Sequence, residues 1–208
     1  MSIPTWMAAA AAAMILGGFG SPALAVAETA QPQRHDDPQA RPGAAAASQR
    51  SRLEAPVVGT DGEVIGAASV EQLDGDGVRV SLYVEGLEPG MKAVHFHEHG
   101  RCDPPDFESA GGHFDPVNAR HGMPGFGPDM DTEEHHAGDM FNQLVDGRGI
   151  MDTVMTNHLV NLDQGANQLL TGDGTALVIH AGQDDYQTQP AGDAGPRVAC
   201  AVIRGPPE

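Results

Sequence analysis

The chain has 208 residues and a formal net charge of −18, from 29 Asp and Glu against 11 Lys and Arg. So acidic a protein excludes nucleic acid as a partner and argues against stable membrane association, because anionic surfaces would repel it. Once two N-terminal segments are set aside, residues 53–208 suffice for one domain with a sound core and are too few for two.

Residues 1–27 carry no charged side chain. An apolar, alanine-rich run from Trp6 to Phe19 precedes small residues at Ala23, Ala25 and Ala27, which predicts a signal peptide with A-x-A cleavage sites. The run is broken by Gly17, Gly18 and Gly20 and is shorter than the roughly 20 residues a membrane span needs. Export to the periplasm or the extracellular space is therefore expected. Residues 28–52 hold almost no large apolar side chain and read as a flexible leader, since such a composition buries too little surface to offset chain entropy. In an exported chain the even pair Cys102 and Cys200 favours a disulfide. Closing so long a loop is worth ~4–5 kcal/mol in the chain-entropy picture.

Beyond the leader, turn signals recur at Thr60-Asp61-Gly62, Asp74 to Gly77, Pro89-Gly90, Asp146 to Gly149 and Thr171 to Gly174, and the segments between them are short. That spacing predicts strands. Val78, Val80, Leu82 and Val84 alternate with Arg79, Ser81, Tyr83 and Glu85, the period of a half-buried antiparallel strand. Further strands are expected from about Glu63 to Gln72, Met91 to Glu98, Gly149 to Met155, Asn157 to Leu162, Ala176 to His180 and Val198 to Ile203. No helix-period segment exceeds two turns. The reading is an all-β sandwich or flattened barrel with two long strandless stretches, Gly100 to about Val145 and Ala181 to Arg197. Loops of that length are usually functional or disordered.

Six of the ten histidines and one aspartate gather around these stretches. His95 and His97 stand at i and i+2 on a predicted strand, so both rings leave the same face. His113 follows two glycines that let the backbone turn tightly. With His121, His136 and Asp139 it offers three nitrogens and one oxygen, a closed tetrahedral zinc set. His95, His97 and His180 remain, and they lack a fourth ligand unless His113 serves both ions. Four imidazoles in a tetragonal arrangement suit Cu(II). The run His95-Phe96-His97-Glu98-His99 superficially matches a dinuclear zinc hydrolase, but the acid and last histidine are each displaced by one residue and the chain lacks αβ alternation. An H-E-x-x-H helix, a G-x-S-x-G elbow and a phosphate-cradling loop are absent. His35, His99, His135 and His158 read as surface or hydrogen-bonded histidines, and Met123, Met130 and Met140 as flexible packing.

The motifs His95-Phe96-His97-Glu98-His99-Gly100-Arg101-Cys102, Ser109 to Pro116, His121-Gly122, His136-Ala137-Gly138-Asp139, Leu177 to Gly182 and Gly192 to Cys200 occur in one order. Together they make residues 53–204 resemble the copper,zinc superoxide dismutases in their exported bacterial form. The resemblance implies an eight-stranded Greek-key barrel, copper on His95, His97, His113 and His180, and zinc on His113, His121, His136 and Asp139. It implies that Asp184 links a copper histidine to a zinc histidine, that Arg197 stands beside copper, and that superoxide is the substrate. The implied chemistry reduces Cu(II) with one superoxide, releasing O₂, and reoxidises Cu(I) with a second, giving hydrogen peroxide. Zinc would be structural, and His113 would carry a proton. A protein on this fold that stores or delivers the metals without turnover is the rival reading, and monomer and homodimer are both open. Since residues 182–196 hold no Lys or Arg, Arg197 and the metals are expected to supply most of the attraction for the anion.

Overall fold

The computed structural model describes residues 52–126 and 135–205. The signal expectation, the leader expectation up to residue 51, His35 and Met130 fall outside the described residues. Nine strands occur among them: β1 (Arg52–Gly59), β2 (Val64–Gln72), β3 (Val78–Val84), β4 (Gly90–Lys92), β5 (Val94–His97), β6 (Gln143–Val145), β7 (Met151–Asn157), β8 (Thr175–His180) and β9 (Arg197–Ile203). Seven form one antiparallel sheet in the order β5-β8-β9-β1-β2-β3-β7, and β4 pairs with β6 in a two-stranded ladder.

The single strand expected from Met91 to Glu98 divides at Ala93. On one side Lys92 pairs with Gln143, on the other Val94 pairs with Ile179. The β4–β5 run therefore belongs to both ladders, and a Thr153 to Gln143 side-chain hydrogen bond ties β7 to β6. These links curl the sheet into a flattened barrel.

Alternation places the core. Val78, Val80, Leu82 and Val84 of β3 are buried and face Val57, Val70, Phe96, Leu177, Ile179 and Ile203 from other strands. Burying such a side chain is worth about 1.5–3 kcal/mol. Along β5 and β8 every residue is buried, because the outer face is covered too: Phe107 and Ala110 pack on Ala176, Val178 and Cys200. This second layer hides the period of two and leaves short apolar runs.

Three further elements differ from expectation. β6 lies at the end of the stretch Gly100 to about Val145, expected to hold no strand, and it forms there because it pairs with β4. β1 begins within the anticipated leader, at Arg52, and its period is masked by Pro56. It meets β9 only at Val58 and Gly59, so upstream of that point one edge lacks a sheet neighbour and a missing N–H is tolerated. The expected Asn157 to Leu162 strand is instead the end of β7 followed by a bend with one isolated bridge, Asn161 to Gln168. Val160 and Leu162 are buried as their character suggests. The Asn161 amide, however, serves the turn: Oδ1 accepts from Gln72 Nε2 at 2.9 Å and from Gly77 N at 3.1 Å.

Candidate metal centre

β5 projects His95 and His97 away from the barrel core while Val94 and Phe96 enter it. Cross-strand pairing places His95 against Val178 and, through an isolated bridge, His97 against His113. His180 ends β8 and pairs with Arg197, the first residue of β9. The segment between β5 and β6 supplies His113, His121, His136 and Asp139. Gly111, at φ 77°, lets that segment approach β5, since a Cβ there would lie 2.6 Å from the Glu98 side chain.

The structure brings all seven candidates together in two buried groups that share His113. The ligand atoms of His95, His97, His113 and His180 lie within 4.8 Å of one another, as do those of His113, His121, His136 and Asp139. The ring centroids of His95 and His113 are 4.1 Å apart, and those of His113 and His121 5.1 Å.

The hydrogen bonds decide which atom of each ring is free. His97 Nδ1 donates to Gly111 O at 3.0 Å and His180 Nδ1 to Gly195 O at 3.1 Å, since a carbonyl can only accept. Their Nε2 atoms then both carry lone pairs, yet they face each other at 3.4 Å. Between two such acceptors, a metal ion or a proton makes that approach favourable. Four more ring nitrogens, His95 Nδ1, His113 Nε2, His121 Nδ1 and His136 Nδ1, are buried without a hydrogen-bond partner. His121 Nδ1 does lie 2.9 Å from Asp139 Oδ2, but without hydrogen-bond alignment. Buried polar atoms are rarely left so, and unpaired nitrogens converging beside a carboxylate fit metal ions.

Electrostatics agree with this division. Burial, with the neighbouring His95 contributing, pushes His113 down to about 4 and His180 down to about 3. Burial and His113 hold His97 well below its ordinary value. These rings are neutral and can act as ligands at neutral pH. Burial also disfavours charge on Asp139, but the hydrogen bond from His113 and the close approach of His121 and His136 outweigh it and keep the carboxyl well below the usual range. For His121 the same competition, against Asp139 and Asp184, raises the ring to about 9.

Asp184 spans both groups: Oδ2 lies 2.8 Å from His95 Nε2 and Oδ1 2.9 Å from His121 Nε2. The carboxylate is itself oriented by Tyr186 N at 2.6 Å. Arg197 donates through Nη1 to Phe107 O and through Nη2 to Gly111 O, the carbonyl that also receives His97 Nδ1. The Cys102–Cys200 disulfide, with Cα atoms 5.7 Å apart, ties the covering loop to β9. Outside both groups, His135 donates from Nδ1 to His136 O, His99 and His158 are exposed, and Met123 and Met140 are buried packing. Gln189, which bonds to the backbone of His121, has no sequence signal of its own, whereas Gly192 beside it opens the last of the family motifs.

Comparison with known proteins gives this geometry a family. The family model described as copper/zinc superoxide dismutase (SODC) matches residues 64–203. Superoxide dismutase [Cu-Zn] 2 of Aquifex aeolicus is 44% identical over 159 residues, covering 76% of this chain and 89% of that protein. Superoxide dismutase [Cu-Zn] of Caulobacter vibrioides is 39% identical over 147 residues, covering 69% and 80%. The crystal structure of a SOD-like protein from Bacillus subtilis superposes with a TM-score of 0.65 at 35% identity, over 72% of this chain and 97% of that one. With its paired histidine groups on the matching barrel, the chain belongs to the copper/zinc superoxide dismutase family.

Proposed function

We propose that the chain disproportionates superoxide, with copper held by His95, His97, His113 and His180 and zinc by His113, His121, His136 and Asp139. The observation that carries this reading is the shared ring. His113 turns Nδ1 to Asp139 at 2.8 Å and a buried, unpartnered Nε2 toward the other three histidines. A metal store has no need of a shared imidazole, nor of an arginine fixed beside it.

Copper, when bound, supplies a one-electron couple that takes an electron from one superoxide and returns it to another, while zinc supplies fixed positive charge. The net change is two superoxide ions and two protons to O₂ and H₂O₂. Arg197 docks the anion. Two of its five N–H donors are committed to carbonyls, which aims the guanidinium and leaves the others for substrate. Asp139 holds His113 at Nδ1, so Nε2 is the atom that can hand a proton to the product.

Export to the periplasm or beyond belongs to the same reading. It is supported by the uncharged, alanine-rich residues 1–27 and by the disulfide, a bond that persists in oxidising compartments. A homodimer fits the outer face of the β4–β6 ladder, where Met91 and Leu144 are directly paired yet 42% and 60% exposed. Sedimentation should give a dimer that Leu144→Glu converts to monomer; a wild-type monomer at tens of micromolar would remove that assignment.

The activity is tested by pulse radiolysis of protein whose copper and zinc have been counted per chain. Rapid, copper-dependent superoxide decay with one of each metal is expected. Full occupancy with decay at the background rate would instead establish a metal-handling protein.

A further inference from the structure

We propose that Gln189 is a positioning residue for the zinc centre, its side-chain amide holding His121 by both backbone groups; this rests on His121 being a zinc ligand. Gln189 Oε1 accepts from His121 N at 2.9 Å, and Gln189 Nε2 donates to His121 O at 2.8 Å. Neighbouring antiparallel strands hold each other by this two-point pairing, and here one side chain provides it.

The clamp stands on a closed turn. Asp185 Oδ1 accepts from Gln187 N and Thr188 N, each at 2.8 Å, while Gly192 N donates to Thr188 O at 2.7 Å. The same loop reaches His121 a third time, through Asp184 Oδ1 at Nε2. Gly192 makes that contact possible. It sits at φ 67°, and a Cβ there would lie 1.8 Å from Asp184 Oδ1 and 2.7 Å from His121 Nε2. Backbone N, backbone O and Nε2 of His121 are thus all fixed from residues 184–189, and Nδ1 is the one polar atom left for an ion.

The chemistry requires an amide of this length. His121 presents one donor and one acceptor, and an amide answers both. A carboxylate at the same place would satisfy the N–H but oppose the carbonyl. Partners that orient metal ligands are typically worth about 10–100-fold in affinity when removed.

The test uses full-length protein carrying copper and zinc. Zinc release to a chromogenic chelator is followed for wild type, Gln189→Ala, Gln189→Glu and, as a control in the same turn, Thr188→Ala. Cobalt(II) is then placed in the zinc position and its visible spectrum recorded. Both Gln189 variants should release zinc at least about tenfold faster and shift the cobalt bands, whereas Thr188→Ala should leave the bands in place. A purely structural glutamine would lower the melting temperature without moving the spectrum. Wild-type release rates and an unchanged spectrum in the Gln189 variants would overturn the assignment alone. Failure of wild type itself to take up zinc or cobalt would overturn the zinc reading beneath it. Should Gln189→Ala not fold, the isosteric Gln189→Glu decides the question by the same two readouts.

Discussion

His121 carries the residue-scale conflict between folding and metal binding. In the metal-free chain burial opposes its charge, but the Asp139 and Asp184 carboxylates prevail and raise it to about 9. Relative to an unfolded value near 6.5, this ion pair stabilises the fold fully below about pH 6.5 and ceases to do so as pH rises through 9. His113 and His180, lowered to about 4 and about 3, have the opposite sign. Their neutral burial stabilises fully above about pH 6.5 and is lost as pH falls through those values. Metal-free protein should therefore be most stable near neutrality and weaken on both sides, as urea midpoints across pH will show. Zinc must also displace the proton on His121. Calorimetric titration at pH 7 in two buffers of different ionisation enthalpy should reveal about one proton released per zinc; identical heats would mean that the ring was already neutral.

At the scale of elements, legibility follows burial. β3 is plain in the sequence because one face is wet and its alternation is intact, whereas β5 and β8 are buried on both faces and show only as apolar runs. β1 is obscured by Pro56, and β6 is three residues long with one of them buried. The seven grouped side chains were visible in their types and spacing. Asp184 and Arg197 became visible only through the family motifs, because the groups they join lie far along the chain: Asp184 meets the His95 and His121 rings, and Arg197 meets Phe107 O and Gly111 O. Gln189 was invisible for the same reason: its contacts to His121 cross 68 positions. The covering loop shows the consequence, since it presents both Arg197 acceptors, Phe107 O and Gly111 O, and is tied to β9 by the disulfide. The double variant Cys102→Ser, Cys200→Ser should lose ~2–5 kcal/mol in metal-free denaturation. A loss under about 1 kcal/mol would mean that packing of Phe107 on β8 holds the loop unaided.

At the scale of the whole molecule, a formal charge of −18 must still admit an anion. The Debye length is about 30 Å at 0.01 M salt and about 8 Å at 0.15 M, so distant carboxylates repel superoxide only when salt is low. Near the site the balance is local. Arg197 shares a surface depression with Asp106 and Glu108, and residues 182–196 add Asp184, Asp185 and Asp193 with no basic side chain. Arg197 is thus the one described cation in that depression, and the acidic pair beside it counters its attraction. Replacing Arg197 with Gln should slow superoxide decay by at least about tenfold at 0.01 M salt, with the deficit shrinking as salt rises. Glu108→Gln should act in reverse, raising the rate a few-fold at low salt and converging on wild type near physiological strength. Both are read from pulse radiolysis of copper-loaded protein over a salt series. An Arg197→Gln rate within twofold of wild type at low salt would place the attraction on the metal charges alone. A Glu108→Gln rate that stays raised at high salt would show that Glu108 obstructs the entrance sterically, since screening removes charge effects and leaves shape untouched.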